Sequence, residues 1–197
     1  MLKKIDYRIL FELDSNARQS YAQIAETLGT SKQVIGNHIN FLIKEGYIKK
    51  FLTILDLSKL DLVVHKMYIR LISASAEDEK RILDFLYNHK NVAWLVRTEG
   101  IYDIALALHT KDIVELNNIL LDIEKRFGSF ISEKVVNRVI TGEFFHRDYF
   151  VENKKSEFRK NVVFQSLEKP IKTDETDIKI LTELARDSRV SAVDIVK

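Results

Sequence analysis

Residues Ile5-Asp6-Tyr7-Arg8-Ile9-Leu10-Phe11-Glu12-Leu13, with Ala17-Arg18-Gln19-Ser20 and Ile24 beyond them, are the template for a second, partial copy near the other end of this 197-residue chain. A shift of 171 positions lays Asp177, Ile180, Leu181, Glu183, Leu184, Arg189, Ser191 and Ile195 on identical residues, 8 identities over the 21 positions from 6 to 26. The matched residues set helix packing and helix starts, so the repeat outweighs any single short motif. In the given sequence the second copy reaches only the opening of its second helix at Lys197.

Working outward from the first copy, Ile5, Ile9, Leu10 and Leu13 recur at helical spacing, and Ser15-Asn16 breaks the pattern. Ser20 with Gln23 three residues on predicts a helix start in which two side chains satisfy each other's backbone donors. The second helix is expected over about 21–28, with Gly29 in the left-handed conformation that ends it. Thr30-Ser31 caps a third helix whose core side is Ile35, His38 or Ile39, and Leu42. Ser31, Lys32, Gln33, Gly36, Asn37 and Asn40 are left to the other side. Their donors and acceptors suit base edges and phosphates, and Gly36 is read as permitting close approach. A plain solvated face would carry the same residue types. A helix, a glycine turn and a serine-capped polar helix in succession favour DNA recognition. Glu45-Gly46 stops the third helix, and 47–54 is expected to run as an extended wing. Lys49 and Lys50 there would reach the sugar-phosphate backbone, or else act as solubilising edge-strand lysines.

From Val63 the period changes to two, with Val63, His65, Met67, Ile69 and Leu71 on one face and Lys66, Tyr68 and Arg70 on the other, which predicts a strand. Ser75 and Glu77-Asp78-Glu79 open a helix carrying Ile82, Phe85, Leu86 and His89. Strands over 92–98 and 102–109 follow, then a helix marked by Ile113, Leu116, Leu120, Ile123 and Phe127, and a last strand over about 130–140. Strand-helix-strand-strand-helix-strand is the ferredoxin-like order, an antiparallel sheet with both helices on one face. The uncovered face is expected to carry some of Tyr68, Trp94, Val136 and Ile140, and pairing of two sheets would cover it. The fold class is therefore α+β: a winged helix-turn-helix (1–60), a ferredoxin-like domain (61–150), a linker (151–173) and a partial second helix-turn-helix (174–197).

Composition agrees with this reading. At 46% hydrophobic and 30% charged residues the chain can build ordinary cores. No apolar run approaches a bilayer span and Lys3-Lys4 lead into no secretory signal, so a soluble cytoplasmic protein without membrane partners is expected. Without cysteine there is no disulfide, thiolate nucleophile or thiolate metal site. The net charge of +2 divides unevenly: 9 Lys+Arg against 6 Asp+Glu in 1–60, 12 against 14 in 61–150, and 10 against 9 in 151–197. Slightly basic ends permit a nucleic-acid partner without requiring one.

The residues Asp6, Ile9-Leu10, Ala17-Arg18, Ile24-Ala25, Leu28-Gly29, Ser31, Leu42, Glu45-Gly46 and Ile48, followed by the ferredoxin-like order, resemble the Lrp/AsnC family of transcription regulators over 1–142. Glu99-Gly100-Ile101-Tyr102-Asp103 resembles that family's Gly-x-Tyr-Asp hairpin in its ligand-sensing (RAM) domain. The resemblance implies double-stranded DNA as partner through the third helix, a homodimer or larger ring, and an amino acid or other small effector near Gly100, Tyr102 and Asp103. Two related recognition helices would address half-sites a multiple of about 34 Å apart. Two features depart from the family: His38 stands where arginine is common, and a partial second module is unusual.

The remaining signals are weaker. Histidines 38, 65, 89, 109 and 146 show no metal-ligand spacing, His65 and His89 read as packed, and no cofactor is expected. Asp103 reads better as a turn acceptor than as an acid or base. The aromatic and basic cluster Phe144, Phe145, His146, Arg147, Tyr149 and Phe150 is read as packing rather than base stacking, Lys154 to Lys160 as a charged run, and 162–164 as a short strand. Thr173-Asp174-Glu175 caps the repeated helix, with Ile178, Leu181 and Leu184 as its apolar side. Lacking a recognition helix, this module is not expected to read DNA, and the chain is expected to be a shortened form of a parent with winged helices at both ends. No catalytic constellation is present and an enzyme is not expected. The alternative is a sirohaem decarboxylase on the same architecture, for which His109 and Arg97 would have to line a cavity. A helix-turn-helix serving as a protein interface is a third reading.

Overall fold

The computed structural model describes residues 1–152, 159, 161–166 and 169–196; the charged run from Lys154 to Lys160 lies outside them except for Arg159. Two compact units emerge, one of residues 1–55, 143–163 and 173–197, the other of 56–142 and 164–172. Residues 143–150, read from sequence as the end of the ferredoxin-like domain, group with the helical unit.

In the helical unit, α1 (Lys4–Ser15), α2 (Tyr21–Leu28) and α3 (Lys32–Lys44) close around Ile9, Leu13, Ile24, Leu28, Ile35, Ile39 and Leu42. The ends follow local chemistry. Ser20 Oγ accepts from Gln23 N at 3.2 Å while Gln23 Oε1 accepts from Ser20 N at 2.9 Å. Gly29 closes α2 at φ 67°, where a side chain would strain the backbone. The repeat is visible in the capping as well. Asp6 accepts from Lys3 N at 2.6 Å in α1, and Asp177 accepts from Asp174 N at 3.0 Å in α6 (Glu175–Arg186). A short α7 (Ala192–Val196) follows. No described side chain of α6 is fully buried, and Ile178 is exposed.

Asp14 in the last turn of α1 holds the segment around Arg147, accepting from Arg147 N at 2.8 Å and Arg147 Nη1 at 2.6 Å, and is also bonded by Arg159. Burial pushes the Asp14 carboxyl up, but the backbone and side-chain bonds from Arg147 outweigh it and hold the group below its ordinary value. The packing expected of the aromatic cluster holds only in part, since Phe145 and Tyr149 stay largely exposed.

In the second unit, β1 (Val63–Leu71), β2 (Val92–Arg97), β3 (Ile104–Thr110) and β4 (Ile131–Arg138) form an antiparallel sheet in the order β2-β3-β1-β4. Helices α4 (Ala76–Tyr87) and α5 (Ile113–Phe127) contribute Ile82, Leu86, Leu116, Ile119, Ile123 and Phe127 to one core with Met67, Ile69, Leu106 and Leu108. Both helices therefore cover the same face. Val136 lies opposite Met67 and packs into that core, so its assignment to the open face is corrected; Val135, opposite Tyr68, takes the place instead. A separate ribbon pairs β5 (Thr141–Phe144) with β6 (Val162–Gln165), the latter matching the expected short strand.

Three histidines of this unit are held below the ordinary histidine value of 6.5. Burial is the leading cause at each, reinforced by Arg138 at His65 and opposed by Asp122 at His89 and Glu115 at His109. His65 is buried against Thr110 Oγ1 at 3.1 Å. His89 meets the Phe85 ring edge-on, as the packed reading expected. Because the folded state binds these protons less readily than the unfolded chain, their contribution to stability is complete above pH 6.5 and is lost as pH falls toward the depressed values. The thermal midpoint should drop between pH 7.5 and 5.5, and His109→Gln should shrink that drop; an unchanged drop in the variant would refute the role of His109.

Candidate nucleic-acid interface

Ile35, Ile39 and Leu42 have no exposure, which fixes the rotation of α3 about its axis. Lys32, Gln33, Asn37 and Asn40 are consequently exposed along the opposite side, with Ser31 at its head accepting from Val34 N at 3.3 Å. Four polar side chains and a helix N-terminus thus share one solvent-facing stripe, able to offer donors, acceptors and one positive charge to a ligand.

Two expectations about this surface are corrected. Gly36 does not belong to it: a Cβ built there would lie 3.5 Å from the Tyr21 ring, so the position faces α2. The wing is not a strand, since no ladder forms between Gly46 and Leu57 among the described residues, and Lys49 and Lys50 sit exposed on an irregular segment. Gly46 ends α3 at φ 75°, and Ile48 is pulled back by its bond to Leu42 O at 3.0 Å.

The departure at His38 has a structural answer. Its Nδ1 lies 2.7 Å from Oδ1 of Asp6, whose side chain is 1% exposed, so the residue ties α3 to α1 inside the module. Nothing in the sequence pattern specified that pairing, because the partners are 32 positions apart.

In the second unit the hairpin of 98–103 is closed by its own polar groups. Thr98 N donates to Asp103 O at 2.8 Å, and Thr98 Oγ1 donates to Tyr102 O at 2.6 Å. Asp103 Oδ2 accepts from Leu71 N at 2.7 Å, which gives the carboxylate the acceptor role expected of it. Gly100 holds φ 145°, a conformation other residues rarely adopt. Tyr102 stacks near Tyr68 at 5.6 Å and donates to Glu133 Oε1 at 3.2 Å; partial desolvation and that bond raise its hydroxyl pKa. The three residues named for effector binding are therefore brought together in one ordered turn.

The decarboxylase alternative fails on geometry. Arg97 pairs with Ile104 at one end of β3 and is engaged by Glu79 at 2.6 Å, whereas His109 lies five residues along the strand, about 17 Å away. They do not line one cavity. Among the described residues no group of histidines and carboxylates is placed to hold a metal, and no helix is long and apolar enough to cross a membrane.

Removing the His38 side chain would leave the buried Asp6 carboxylate short of a partner, at a cost of about 2 kcal/mol. His38→Ala should lower the unfolding free energy by that order in a urea titration, whereas Gly36→Ala, meeting only ordinary contact at Tyr21, should raise it by about 0.5–1 kcal/mol. The opposite signs would contradict these assignments.

Comparison with known proteins agrees with this construction. The family described as Winged helix-turn-helix DNA-binding matches residues 2–49. The chain is 30% identical over 128 residues to the HTH-type transcriptional regulator PF2053 of Pyrococcus furiosus, covering 64% of this chain and 85% of that one. It is 31% identical over 119 residues to the regulatory protein AsnC of Haemophilus influenzae, covering 60% and 79%. Among solved structures, PH0061 of Pyrococcus horikoshii superposes with a TM-score of 0.65 at 25% identity over 74% of this chain and 97% of that chain. AsnC of E. coli gives 0.62 at 23% identity, again over 74% and 97%, a likeness of fold. With its helix-turn-helix, its four-stranded sheet under two helices and these relatives, the chain belongs to the Lrp/AsnC family of DNA-binding transcription regulators.

Proposed function

We propose that α3 reads a DNA major groove with Lys32, Gln33, Asn37 and Asn40, that Ser31 and the N-terminus of α3 meet a phosphate, and that Lys49 and Lys50 add phosphate contacts beside it. The carrying observation is the exposed polar stripe opposite the fully buried Ile35, Ile39 and Leu42. Asparagine and glutamine can bond adenine through two atoms, lysine bonds guanine or phosphate, and phosphate contacts position the module without choosing a sequence. The triple variant Lys32→Ala, Gln33→Ala, Asn37→Ala should abolish specific gel-shift binding with circular dichroism unchanged. Lys49→Ala with Lys50→Ala should weaken binding to all sequences alike and reduce the salt slope by about two. Specific binding that survives the triple variant defeats this assignment.

The second unit is assigned as the assembly and sensing part. Its open sheet face presents Trp94, 45% exposed, beside the small Ala105 and Ala107, with Tyr68 and Val135 nearby. Lys66 Nζ lies over the Trp94 ring at 3.9 Å, and burial pushes its amine below the ordinary value. An exposed tryptophan with its apolar neighbours, lying over the buried Ala105 and Ala107, suits a second copy of the same face, and homodimerisation through it is the proposal. Trp94→Glu should shift the sedimentation coefficient to that of a single chain; an unchanged assembly would refute this face.

An amino acid is the proposed effector class, acting near Gly100, Tyr102 and Asp103. A related-fold transcriptional regulator of Neisseria meningitidis, NMB0573, was solved with L-Met at a TM-score of 0.64 and 16% identity over 71% of this chain and 90% of that one. The ordered turn supports the reading, because any ligand pressing on Gly100 or Tyr102 would bear on Asp103 and through it on β1.

A further inference from the structure

The two copies of the repeat touch, and the contact obeys the repeat. Arg18 Nη1 donates to Ser188 O and, at 3.5 Å, to Val190 O. Arg189 Nε donates to Ala17 O at 2.7 Å, and its Nη2 donates to Gln19 O at 2.9 Å. Arg18 and Arg189 are equivalent under the shift of 171, as are Ala17 and Ser188, and Gln19 and Val190. Each arginine therefore bonds the carbonyls on either side of the other, a relation that holds only when two like modules face each other about an approximate two-fold axis.

The chemistry explains why this corner can serve as a docking surface. Residues 17 and 19 lie just past Asn16, which ends α1, and residues 188 and 190 just past Asp187, which ends α6. Their carbonyls belong to the connections between helices, where no intrahelical N–H takes them, so a guanidinium with several donors is a suitable partner there. Around this core the Arg189 guanidinium lies 4.5 Å from the Phe51 ring and 5.3 Å from that of Tyr21, and Ser188 N donates to Phe51 O at 2.9 Å. Ser188 is 2% exposed. The stripe of Lys32, Gln33, Asn37 and Asn40 takes no part and stays open.

We propose that residues 16–20 form a docking surface for another helix-turn-helix module, and that its occupant is this chain's own second copy, residues 174–196, held in cis. The second copy is an organising element, placed by a paired-arginine clasp beside the DNA-reading module without obstructing it. The lone serine hydroxyl of Ser188, buried with no hydrogen-bond partner among the described residues, stands where the first copy has Ala17 and gives the clasp nothing.

The native chain has no cysteine, which makes trapping direct. In the 197-residue chain, Gln19→Cys with Val190→Cys should be joined by a short bis-maleimide into a product of single-chain mass with the peptides of 19 and 190 linked. Adding Arg18→Glu and Arg189→Glu should reduce that yield about tenfold, and in the cysteine-free chain the same charge reversals should speed amide exchange at Gln19 and Ser188 by about tenfold or more while circular dichroism is unchanged. Ser188→Ala should leave both readouts intact. A product of two-chain mass, no product, or a yield unaffected by the charge reversals would each overturn the clasp in cis.

Discussion

The complete burial of Ile35, Ile39 and Leu42 is the constraint from which the rest of the helical module follows. Each such side chain stabilises the fold by about 1.5–3 kcal/mol when withdrawn from water, and the three recur on one side of α3 at spacings of four and three. Rotating the helix to hide any polar residue would expose at least one of them. The outward position of Lys32, Gln33, Asn37 and Asn40 is thus enforced from the inside, and the capped start at Ser31 fixes where that stripe begins. His38 adds a polar bolt between α3 and α1 where the stripe borders the core, so the candidate surface is seated on hydrophobic packing and on one buried carboxyl side chain.

Local chemistry made much of this visible in the amino-acid string. Helix α2 could be bounded by reading Ser20, Gln23 and Gly29, because a cap, its reciprocal partner and a left-handed terminator act within a few residues. The alternation from Val63 to Leu71 likewise identified β1 and its buried face, since the period of a strand is a property of the backbone. What stayed hidden depended on distant partners. Val136 and Val135 are adjacent and equally apolar, and only the register of β4 against β1 decides which one enters the core. Gly36 could be understood only once Tyr21 was seen beside it. A wing strand needs a ladder with a neighbouring strand, and residues 47–54 form none among the described residues, so their β-prone composition came to nothing. At the candidate DNA surface the residue types and their spacing were legible, whereas the base or phosphate each would meet is not written in the chain.

The two units manage polar groups differently. The sheet keeps three histidines neutral by burial, and its hairpin spends the Asp103 carboxylate on β1. The helical unit instead holds one carboxylate, Asp14, among cationic partners, Arg147 and Arg159. Acid therefore acts on them through opposite routes, by charging histidines that the sheet disfavours as cations and by discharging the one carboxylate, Asp14, that its arginine partners hold ionised.

The acceptors in the arginine clasp are all main-chain carbonyls, and this frees the surrounding side chains from matching one another. Ala17 has become Ser188 and Gln19 has become Val190 between the two copies, yet the oxygens they supply are the same. An interface of this kind leaves the residues that supply the oxygens free to differ while the two guanidinium bearers stay the same, so each copy can carry its own surface character and still hold the other.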